Sequence, residues 1–261
     1  MSTETREAPT ASQRANPFTQ GGSDYAAHRP DYPETLVDVL TDLARRRRFA
    51  VDIGCGSGQL TARLATRFNR VLGCDLSESQ LGAASPHPRI AYAASRAEAT
   101  PCPTGAADLI TVAQAAHWLD LDAFYAEARR IAAPGAALAL ITYGAMRLSM
   151  GPLADRFDHF YGEEMRPYWP PERALVDAGY STLHFPFDAL TAPRLSIERR
   201  WTLAATLGYI ETWSAAKAAR RSGAAGDAIV DAFREEARRL WGPPDRVRQV
   251  SWPLAMRLGR L

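Results

Sequence analysis

The feature that most constrains this chain is a glycine-rich turn between a predicted strand and a predicted amphipathic helix. Its sequence is Val51-Asp52-Ile53-Gly54-Cys55-Gly56-Ser57-Gly58-Gln59-Leu60. Glycines in such a turn let the backbone bend tightly and let a ligand approach the main chain closely. The nicotinamide-binding fingerprint GxGxxG would need a third glycine at position 59, where this chain has Gln59. The turn therefore favours a polar ligand smaller than a dinucleotide, held at the N-terminus of the helix.

An acidic residue follows the next predicted strand. Asp75 ends the segment Val71-Leu72-Gly73-Cys74-Asp75 and lies 19 residues beyond Gly56. A carboxylate at this place can accept hydrogen bonds from both hydroxyls of a ribose. An aspartate after a strand is also a common helix N-cap, so Asp75 alone is a weak signal. At this distance from the glycine turn, it predicts a ligand that contains a ribose.

Short apolar runs alternate with amphipathic stretches between Phe49 and Tyr143, a pattern typical of a parallel sheet with crossover helices. The predicted strands of this region are 49–53, 70–74, 89–93, 108–113 and 136–143. A helix is predicted over 33–49, with the arginine run 45–48 in its last turn. Beyond Tyr143 we predict two short helices within 150–178, strands at 181–187, 196–202 and 247–256, and helices at 203–217 and 227–241.

The composition limits the cellular compartment in which the protein is expected and the classes of molecule that it is expected to bind. Lys and Arg number 31 against 29 Asp and Glu, and this near balance gives no concentrated basic face for nucleic acid. No apolar run approaches the roughly 20 residues of a membrane helix, and the polar N-terminus does not resemble a signal peptide. Cys55, Cys74 and Cys102 form no CxxC pair, which indicates a reducing compartment and no metal site. We therefore expect a cytoplasmic protein, monomeric or homodimeric, without membrane or nucleic acid partners.

Taken together, these segments resemble the class I S-adenosylmethionine-dependent methyltransferases over residues 49–143. Asp52-x-Gly54-x-Gly56-x-Gly58 is similar to their first motif, and Asp75 to their ribose-binding acid. The segment 95–103 resembles the loop that borders the adenine, and 111–120 resembles the strand and loop that face the methyl-transfer centre. The resemblance implies S-adenosylmethionine as cofactor, and among its ligands Asp52, Gly54, Cys55, Gly56, Gly58, Asp75, Leu76, Ala97, Glu98 and Gln114.

The two ends of the chain resemble a narrower group, the trans-aconitate methyltransferase-like or methyltransferase type 11 proteins. The matching segments are 18–33, the pair His117-Trp118, and the stretches 208–214 and 252–260. Members of this group commonly methylate small carboxylates or natural products. The chain departs from the group's pattern at Ala136, which replaces a glycine, and at Leu119, which replaces a phenylalanine. Leu119 is expected to reshape the substrate side of the site.

The resemblance also implies roles for residues outside the cofactor motifs. Tyr25 and Arg29 would belong to a lid segment over the cofactor, with Arg29 on the methionine carboxylate. His117 is a candidate general base or a wall of the pocket, and Tyr143 lies at the catalytic edge of the sheet. The predicted substrate pocket is aromatic, which favours an apolar or aromatic acceptor over a tricarboxylic acid, and it consists of Trp118, Tyr168, Trp169, Tyr209 and Trp213.

We therefore predict a Rossmann-like, doubly wound, seven-stranded and mostly parallel α/β sheet with a helical cap inserted after the fifth strand. The expected organisation is a disordered tail (1–16), a lid segment and first helix (17–48), a cofactor-binding core (49–145), and cap helices with completing strands (146–261). The expected reaction is in-line methyl transfer to a small molecule. The alternatives are a non-methylating cofactor-binding member of the fold, a nicotinamide-dependent oxidoreductase and an RNA methyltransferase, and the identity of the acceptor atom stays open.

Overall fold

The apolar runs of the first half of the chain form the parallel strands of one central sheet. In this computed structural model, which describes residues 30–149 and 151–261, these strands lie in the order β3-β2-β1-β4-β5. Their side chains are largely buried because helices cover both faces of the sheet, as parallel sheets require. The strands are β1 (Phe49–Ile53), β2 (Arg70–Asp75), β3 (Ile90–Ala94), β4 (Ala107–Ala113) and β5 (Ala132–Tyr143). The predicted tail, the lid segment before Pro30, Tyr25 and Arg29 lie outside the described residues.

The last strand of the chain completes the sheet in the antiparallel direction. Strand β9 (Arg248–Arg260) pairs with β5 on one side, where the two-residue β6 (Arg147–Leu148) also pairs with it. On its other side, β8 (Leu195–Trp201) and β7 (Asp188–Leu190) pair with successive parts of β9. These two pieces together occupy one edge position. With β6 set apart as a short extension, the sheet has the predicted seven strand positions.

Two apolar clusters anchor the helices to the two faces of the sheet. Helices α1 (Glu34–Leu43) and α2 (Gln59–Leu64) contribute Leu36, Leu40, Leu60 and Leu64 to one of them. The other cluster lies on α4 (Leu121–Ile131), which presents Phe124, Tyr125, Ala128 and Ile131 at helical spacing. The short helix α3 (Glu78–Gly82) starts at Ser77, whose hydroxyl accepts the Gln80 N–H.

The helical cap comes from two insertions and not from one. After β5 the chain forms α5 (Pro152–His159), a π-helical turn, a 3-10 turn (Arg166–Tyr168) and α6 (Arg173–Asp177). Between β8 and β9 it forms α7 (Leu203–Glu211), α8 (Ser214–Arg221) and α9 (Ala224–Trp241). The two insertions pack on each other, and the stacked rings of Phe160 and Phe233 have centroids 4.0 Å apart. The predicted cap therefore exists after the fifth strand, but more than half of its helical residues follow the edge strand.

Several predicted elements differ from the structure, including the first helix, the helix at 203–217 and the strand at 181–187. Helix α1 ends at Leu43, so the arginine run 45–48 lies beyond it, and the Arg48 N–H donates to Asp108. The predicted helix 203–217 is two helices, since α7 ends at Glu211. The predicted strand 181–187 is absent, and the Arg257 guanidinium donates instead to the carbonyls of Tyr180, Ser181 and Leu183 in this loop. Of the helices that the structure describes, none combines the length and the apolar character that crossing a membrane needs.

Candidate functional site

The glycine turn after β1 leaves one glycine facing open space. All three glycines have left-handed backbones, with φ values of +65° at Gly54, +55° at Gly56 and +79° at Gly58. A Cβ at Gly54 would lie 2.5 Å from the Ala115 Cβ, and one at Gly58 would lie 2.2 Å from the Tyr92 hydroxyl. A Cβ at Gly56 would meet nothing nearer than 3.8 Å. Gly54 and Gly58 are therefore needed by the protein's own packing, whereas Gly56 leaves room for a ligand against the backbone.

Asp75 connects the end of β2 to this turn. Its Oδ2 accepts the Gly56 N–H at 2.8 Å, and its Oδ1 accepts the Ser77 N–H at 2.8 Å. Each carboxylate oxygen retains a second lone pair, so Asp75 can still accept two ligand hydroxyls. The next residue, Leu76, exposes 60% of its surface beside the carboxylate. An exposed apolar side chain next to a hydrogen-bonding acid suits a ligand with one polar and one flat apolar part.

Asp52 lies beneath the turn and supports it. Its side chain is 1% exposed, and its two oxygens accept the hydroxyls of Thr61 at 2.6 Å and Thr111 at 2.7 Å. The pKa of Asp52 is raised to about 6, because burial and the Asp75 charge raise it by more than the two threonine hydrogen bonds lower it. Asp52, which was predicted to bind the cofactor, therefore supports the turn by linking β1 to α2 and β4.

Other predicted cofactor residues surround the same edge of the sheet. Burial strongly raises the pKa of the Cys55 thiol, so this cysteine is a small packing residue within the turn and not a thiolate. Ala97 and Glu98 follow β3, which pairs with β2 up to Asp75. Ala97 is buried, while the Glu98 carboxylate forms an ion pair with Arg96 at 3.2 Å. All of these positions lie where the carboxyl ends of parallel strands place ligand-binding loops.

Gln114 links the loop after β4 to the end of β5. Its φ of +57° is left-handed, a conformation that costs a non-glycine residue roughly 1–2 kcal/mol. Its Nε2 donates to the Tyr143 carbonyl at 3.0 Å, and its Oε1 accepts the Thr142 hydroxyl at 2.7 Å. Since strained backbones persist only where surrounding contacts hold them, these bonds indicate a rigidly positioned loop.

His117 follows in a 3-10 turn (Ala116–Trp118) of this same loop. Its Nδ1 lies 2.8 Å from the hydroxyl of Tyr180, a residue of the first insertion. Burial, together with the positive charge of Arg173, lowers the pKa of His117 to about 4. The imidazole is therefore neutral at physiological pH. The contact between Gly54 and Ala115 brings this loop directly onto the glycine turn.

Three of the predicted catalytic and pocket residues lie in the core. Tyr143 is 4% exposed, and its ring packs edge-on against Tyr32 with centroids 6.4 Å apart. The Tyr209 hydroxyl accepts the Trp252 indole N–H at 3.0 Å, and the buried ring of Trp213 stacks among other aromatic rings of the cap. These placements differ from the predicted roles, because Tyr143 packs in the sheet core, Tyr209 packs against Trp252 of β9, and Trp213 packs against rings of both insertions. Trp118, Tyr168 and Trp169 are half-buried and stay candidates for the pocket.

Sequence reasoning missed three residues around the loop of His117. Thr142 carries a hydroxyl within the apolar run of β5. A polar side chain in such a run indicates a buried hydrogen bond. Tyr180 has a φ of +61° in the loop that follows α6, and no local pattern marks it. Arg173 starts α6, which packs against the 3-10 turn of His117. The guanidinium lies over the ring of Trp169, 4.7 Å from its centroid.

Comparisons with known proteins agree with this geometry. Residues 51–140 match a family described as a methyltransferase domain. A Dictyostelium discoideum protein assigned as a methyltransferase is 34% identical over 209 residues, which cover 79% of this chain and 80% of that protein. The solved structure of a protein assigned as a type II methyltransferase from Anaeromyxobacter dehalogenans has a TM-score of 0.81 and 45% identity, over 89% of this chain and 97% of that chain.

A shorter match reaches an enzyme of the group that the motifs resemble. The trans-aconitate 2-methyltransferase of Methylobacterium radiotolerans is 43% identical over 75 residues, which are 28% of each chain. This chain therefore has relatives that share its fold and most of its length. It also contains the glycine turn, the acid after β2 and the loop after β4. This chain belongs to the class I, S-adenosylmethionine-dependent methyltransferases of the type 11 group.

Proposed function

We propose that this protein transfers the methyl group of S-adenosylmethionine to a small molecule that carries an anionic group such as a carboxylate. The observation that carries the proposal is the meeting of three loops at one sheet edge. The open turn at Gly56 is bonded to Asp75, and the loop of His117 packs on that turn through Ala115. A natural-product acceptor, a cytoplasmic location and a monomeric or dimeric state stay predictions.

The residues present fit this cofactor. Gly56 leaves a cradle that a Cβ would fill, Asp75 has free lone pairs for two ribose hydroxyls, and Leu76 offers an exposed apolar surface. The buried Gln80 Oε1 has no hydrogen-bond partner within the described chain, and it faces the Gly56 position at 3.8 Å. An unpaired buried acceptor is costly unless a ligand satisfies it. When bound, S-adenosylmethionine supplies an activated methyl group on a positively charged sulfur.

The protein's own contribution is then mainly to align the acceptor. A methyl on sulfur already has a good leaving group, so holding the acceptor atom at near-attack distance supplies most of the acceleration. The loop of His117 is suited to this because the side-chain hydrogen bonds of Gln114 tie it to the end of β5. Helix α6 packs against the 3-10 turn of the same loop.

Arg173 supports an anionic acceptor. Its Nε donates to Asp177 at 2.9 Å, and its guanidinium packs over the rings of Tyr161 and Trp169. That bond uses one of five N–H donors, so donors remain for a second anion. A guanidinium held by stacking is well suited to bidentate recognition of a carboxylate. The aromatic cap therefore holds the Arg173–Asp177 ion pair, and the remaining donors of its guanidinium favour an anionic acceptor over the purely apolar or aromatic one predicted from its composition.

The proposal is tested by incubating the purified protein with methyl-labelled S-adenosylmethionine and separate acceptor pools. The pools are small carboxylic acids, the corresponding amides, a protein extract and total RNA. We expect label in the carboxylic acid pool and not in the amide pool. Label confined to RNA or protein would contradict the proposal.

Asp75→Ala is expected to weaken binding of S-adenosylmethionine by about 10- to 150-fold, which corresponds to roughly 1.5–3 kcal/mol for a charge-assisted pair. Asp75→Asn keeps one oxygen acceptor and should lose less affinity. Calorimetric titration of the folded variants measures both values, and Asp42→Ala, at an exposed position, is the control. Unchanged affinity of Asp75→Ala would contradict the ribose-binding role.

Arg173→Gln is expected to raise the KM for a carboxylate acceptor by about 10-fold or more, since a charge-assisted hydrogen bond is worth roughly 1.5–3 kcal/mol. The Kd of the cofactor should stay the same, because Arg173 lies on the cap side of His117. Arg166→Gln is the matched control, since Arg166 is exposed and lies in the preceding turn. An equal KM in Arg173→Gln and wild type would exclude Arg173 as the anion-binding residue.

A further inference from the structure

Two buried polar atoms on the β2–β3 side of the glycine turn have no hydrogen-bond partner within the described chain. They are the side-chain oxygen Oε1 of Gln80, in α3, and the hydroxyl of Tyr92, in β3. A buried polar atom without a hydrogen bond lowers stability, since its bonds to water are lost on folding and nothing replaces them. Native proteins keep few such atoms, so each one needs a specific physical explanation.

The Tyr92 hydroxyl lies beneath the turn and faces the protein. A Cβ added at Gly58 would be 2.2 Å from this hydroxyl, and one at Gly73 would be 2.8 Å from the Tyr92 ring. The ring thus occupies the volume that side chains at both positions would need, which explains the glycine in the middle of β2. Because Gly58 approaches the hydroxyl so closely, no ligand atom fits between them.

The side chain of Gln80 borders the open side of the turn instead. Apart from the adjacent residues of the chain, Gln80 Oε1 is the heavy atom nearest to a Cβ placed on Gly56, at 3.8 Å. Gln80 is 5% exposed, and its backbone N–H donates to the Ser77 hydroxyl at the start of α3. The Gly56 N–H donates to Asp75 Oδ2 at 2.8 Å. A ligand group that lies against Gly56 and reaches Asp75 therefore also meets the Gln80 amide.

We propose that Gln80 is a further cofactor-binding residue, whose side-chain amide hydrogen bonds with a ribose hydroxyl beside Asp75. The inference rests on the proposed function, because it takes S-adenosylmethionine as the ligand of this sheet edge. A ribose hydroxyl both donates and accepts hydrogen bonds, and a carboxamide offers an accepting oxygen and a donating nitrogen. The Gln80 amide can therefore pair with the hydroxyl whichever of its two atoms faces Gly56, whereas ionised Asp75 only accepts.

The unpaired oxygen of Gln80 is expected to affect stability and binding in opposite directions. In the ligand-free protein it lowers the free energy of unfolding, because no donor replaces the water that burial removes. When the cofactor binds, the new hydrogen bond with the ribose removes that cost. A residue that only packs against the turn would behave differently, since its loss would lower the stability of the ligand-free protein.

Gln80→Met removes the amide and keeps an unbranched side chain of similar length. We expect the Kd for S-adenosylhomocysteine, measured by calorimetric titration, to rise by about 10-fold, which corresponds to about 1.4 kcal/mol. The melting temperature of the ligand-free variant should equal or exceed that of wild type, because a buried oxygen without a partner has been removed. Wild-type affinity in Gln80→Met would overturn the proposal. A lowered melting temperature would also overturn it, since the amide would then have a partner within the protein.

Tyr92→Phe is the matched control for this variant, because it also removes a buried, unpaired oxygen at the same turn. The ligand-free Tyr92→Phe protein should be at least as stable as wild type. Its affinity for S-adenosylhomocysteine should equal that of wild type, since the hydroxyl faces Gly58 and not the ligand. Equal losses of affinity in Tyr92→Phe and Gln80→Met would reflect a change in the whole turn and would overturn a contact specific to Gln80.

The group that Gln80 contacts on the ligand is identified with the 2′-deoxy and 3′-deoxy analogues of S-adenosylhomocysteine. For the analogue that lacks the contacted hydroxyl, Gln80→Met should weaken binding by about twofold or less, instead of about 10-fold. The reason is that the two changes remove the same hydrogen bond, so their effects do not add. A full 10-fold effect of Gln80→Met with both analogues would show that the amide does not bind the ribose.

Titration of the wild type separates this inference from the proposed function. A wild type that binds neither S-adenosylmethionine nor S-adenosylhomocysteine would overturn the cofactor assignment and the role of Gln80 together. A wild type that binds both, with unchanged affinities in Gln80→Met, would overturn the role of Gln80 alone and leave the proposed function in place. The expected result is binding by the wild type, weaker binding by Gln80→Met, and wild-type affinity in Tyr92→Phe.

Discussion

Gly56→Ala is expected to weaken S-adenosylmethionine binding by roughly 10- to 100-fold, the cost of an extra methyl in a close-packed contact. Within the protein, the new Cβ would have no heavy atom nearer than 3.8 Å. The folded state should therefore lose only the roughly 1–2 kcal/mol that a left-handed backbone costs alanine. Gly56→Val should abolish binding, since a branched side chain fills more of the space where we place the cofactor.

Gly54→Ala is the matched variant for this experiment. Its φ of +65° is close to that of Gly56, but its Cβ would lie 2.5 Å from the Ala115 Cβ. Overpacking adds about 1–3 kcal/mol to the backbone cost, so Gly54→Ala should be markedly less stable than Gly56→Ala. Ala115→Gly should restore much of that loss, because it removes the atom in conflict.

Calorimetric titration and thermal unfolding together decide the result. Affinity should fall most in Gly56→Ala, and the melting temperature should fall most in Gly54→Ala. If Gly56→Ala binds S-adenosylmethionine as tightly as wild type does, the cofactor does not lie against this turn. If the two variants have equal melting temperatures, the packing contact with Ala115 is not what requires Gly54.

The second large effect concerns pH and Asp52. The free energy of unfolding of wild type, relative to Asp52→Asn, should fall by about 3 kcal/mol as the pH rises from about 4 to above 6. The folded pKa of Asp52 is raised from 3.8 to about 6, chiefly by burial. The folded state therefore holds its proton more tightly than the unfolded chain does, and this advantage is lost as the pH rises through that window.

Urea unfolding of both proteins at several pH values measures this difference. The asparagine variant keeps the shape of the side chain but cannot ionise, so only wild type carries the Asp52 contribution. The low pKa of His117 has the opposite effect on stability. Because this histidine stays neutral in the folded state, the free energy of unfolding falls at pH values below its unfolded-state pKa. That contribution is present in both proteins and cancels in the difference. A difference that stays constant with pH, or that grows as the pH rises, would contradict the raised pKa of Asp52.

Most of the cofactor edge followed from the sequence by itself. The apolar runs and helical spacings predicted the parallel strands and their crossovers, and the comparisons confirmed the family. The glycine turn and Asp75 were recognised because each lies directly after a strand. Their hydrogen bond, from the Gly56 N–H to Asp75 Oδ2, needs only that neighbouring parallel strands end at one edge.

The acceptor side was decided by the tertiary structure. His117 and Tyr180 are 63 positions apart in the chain, and their contact depends on how the first insertion folds over the loop after β4. The spacing of apolar residues did not distinguish core residues from pocket residues. Tyr209 and Trp213 are buried, whereas Trp169 is half-buried. Helical and strand periods report which face is apolar, but both the core and a pocket are apolar. Hydrogen-bond partners, ionisation and the place of Arg173 exist only once distant segments have packed together.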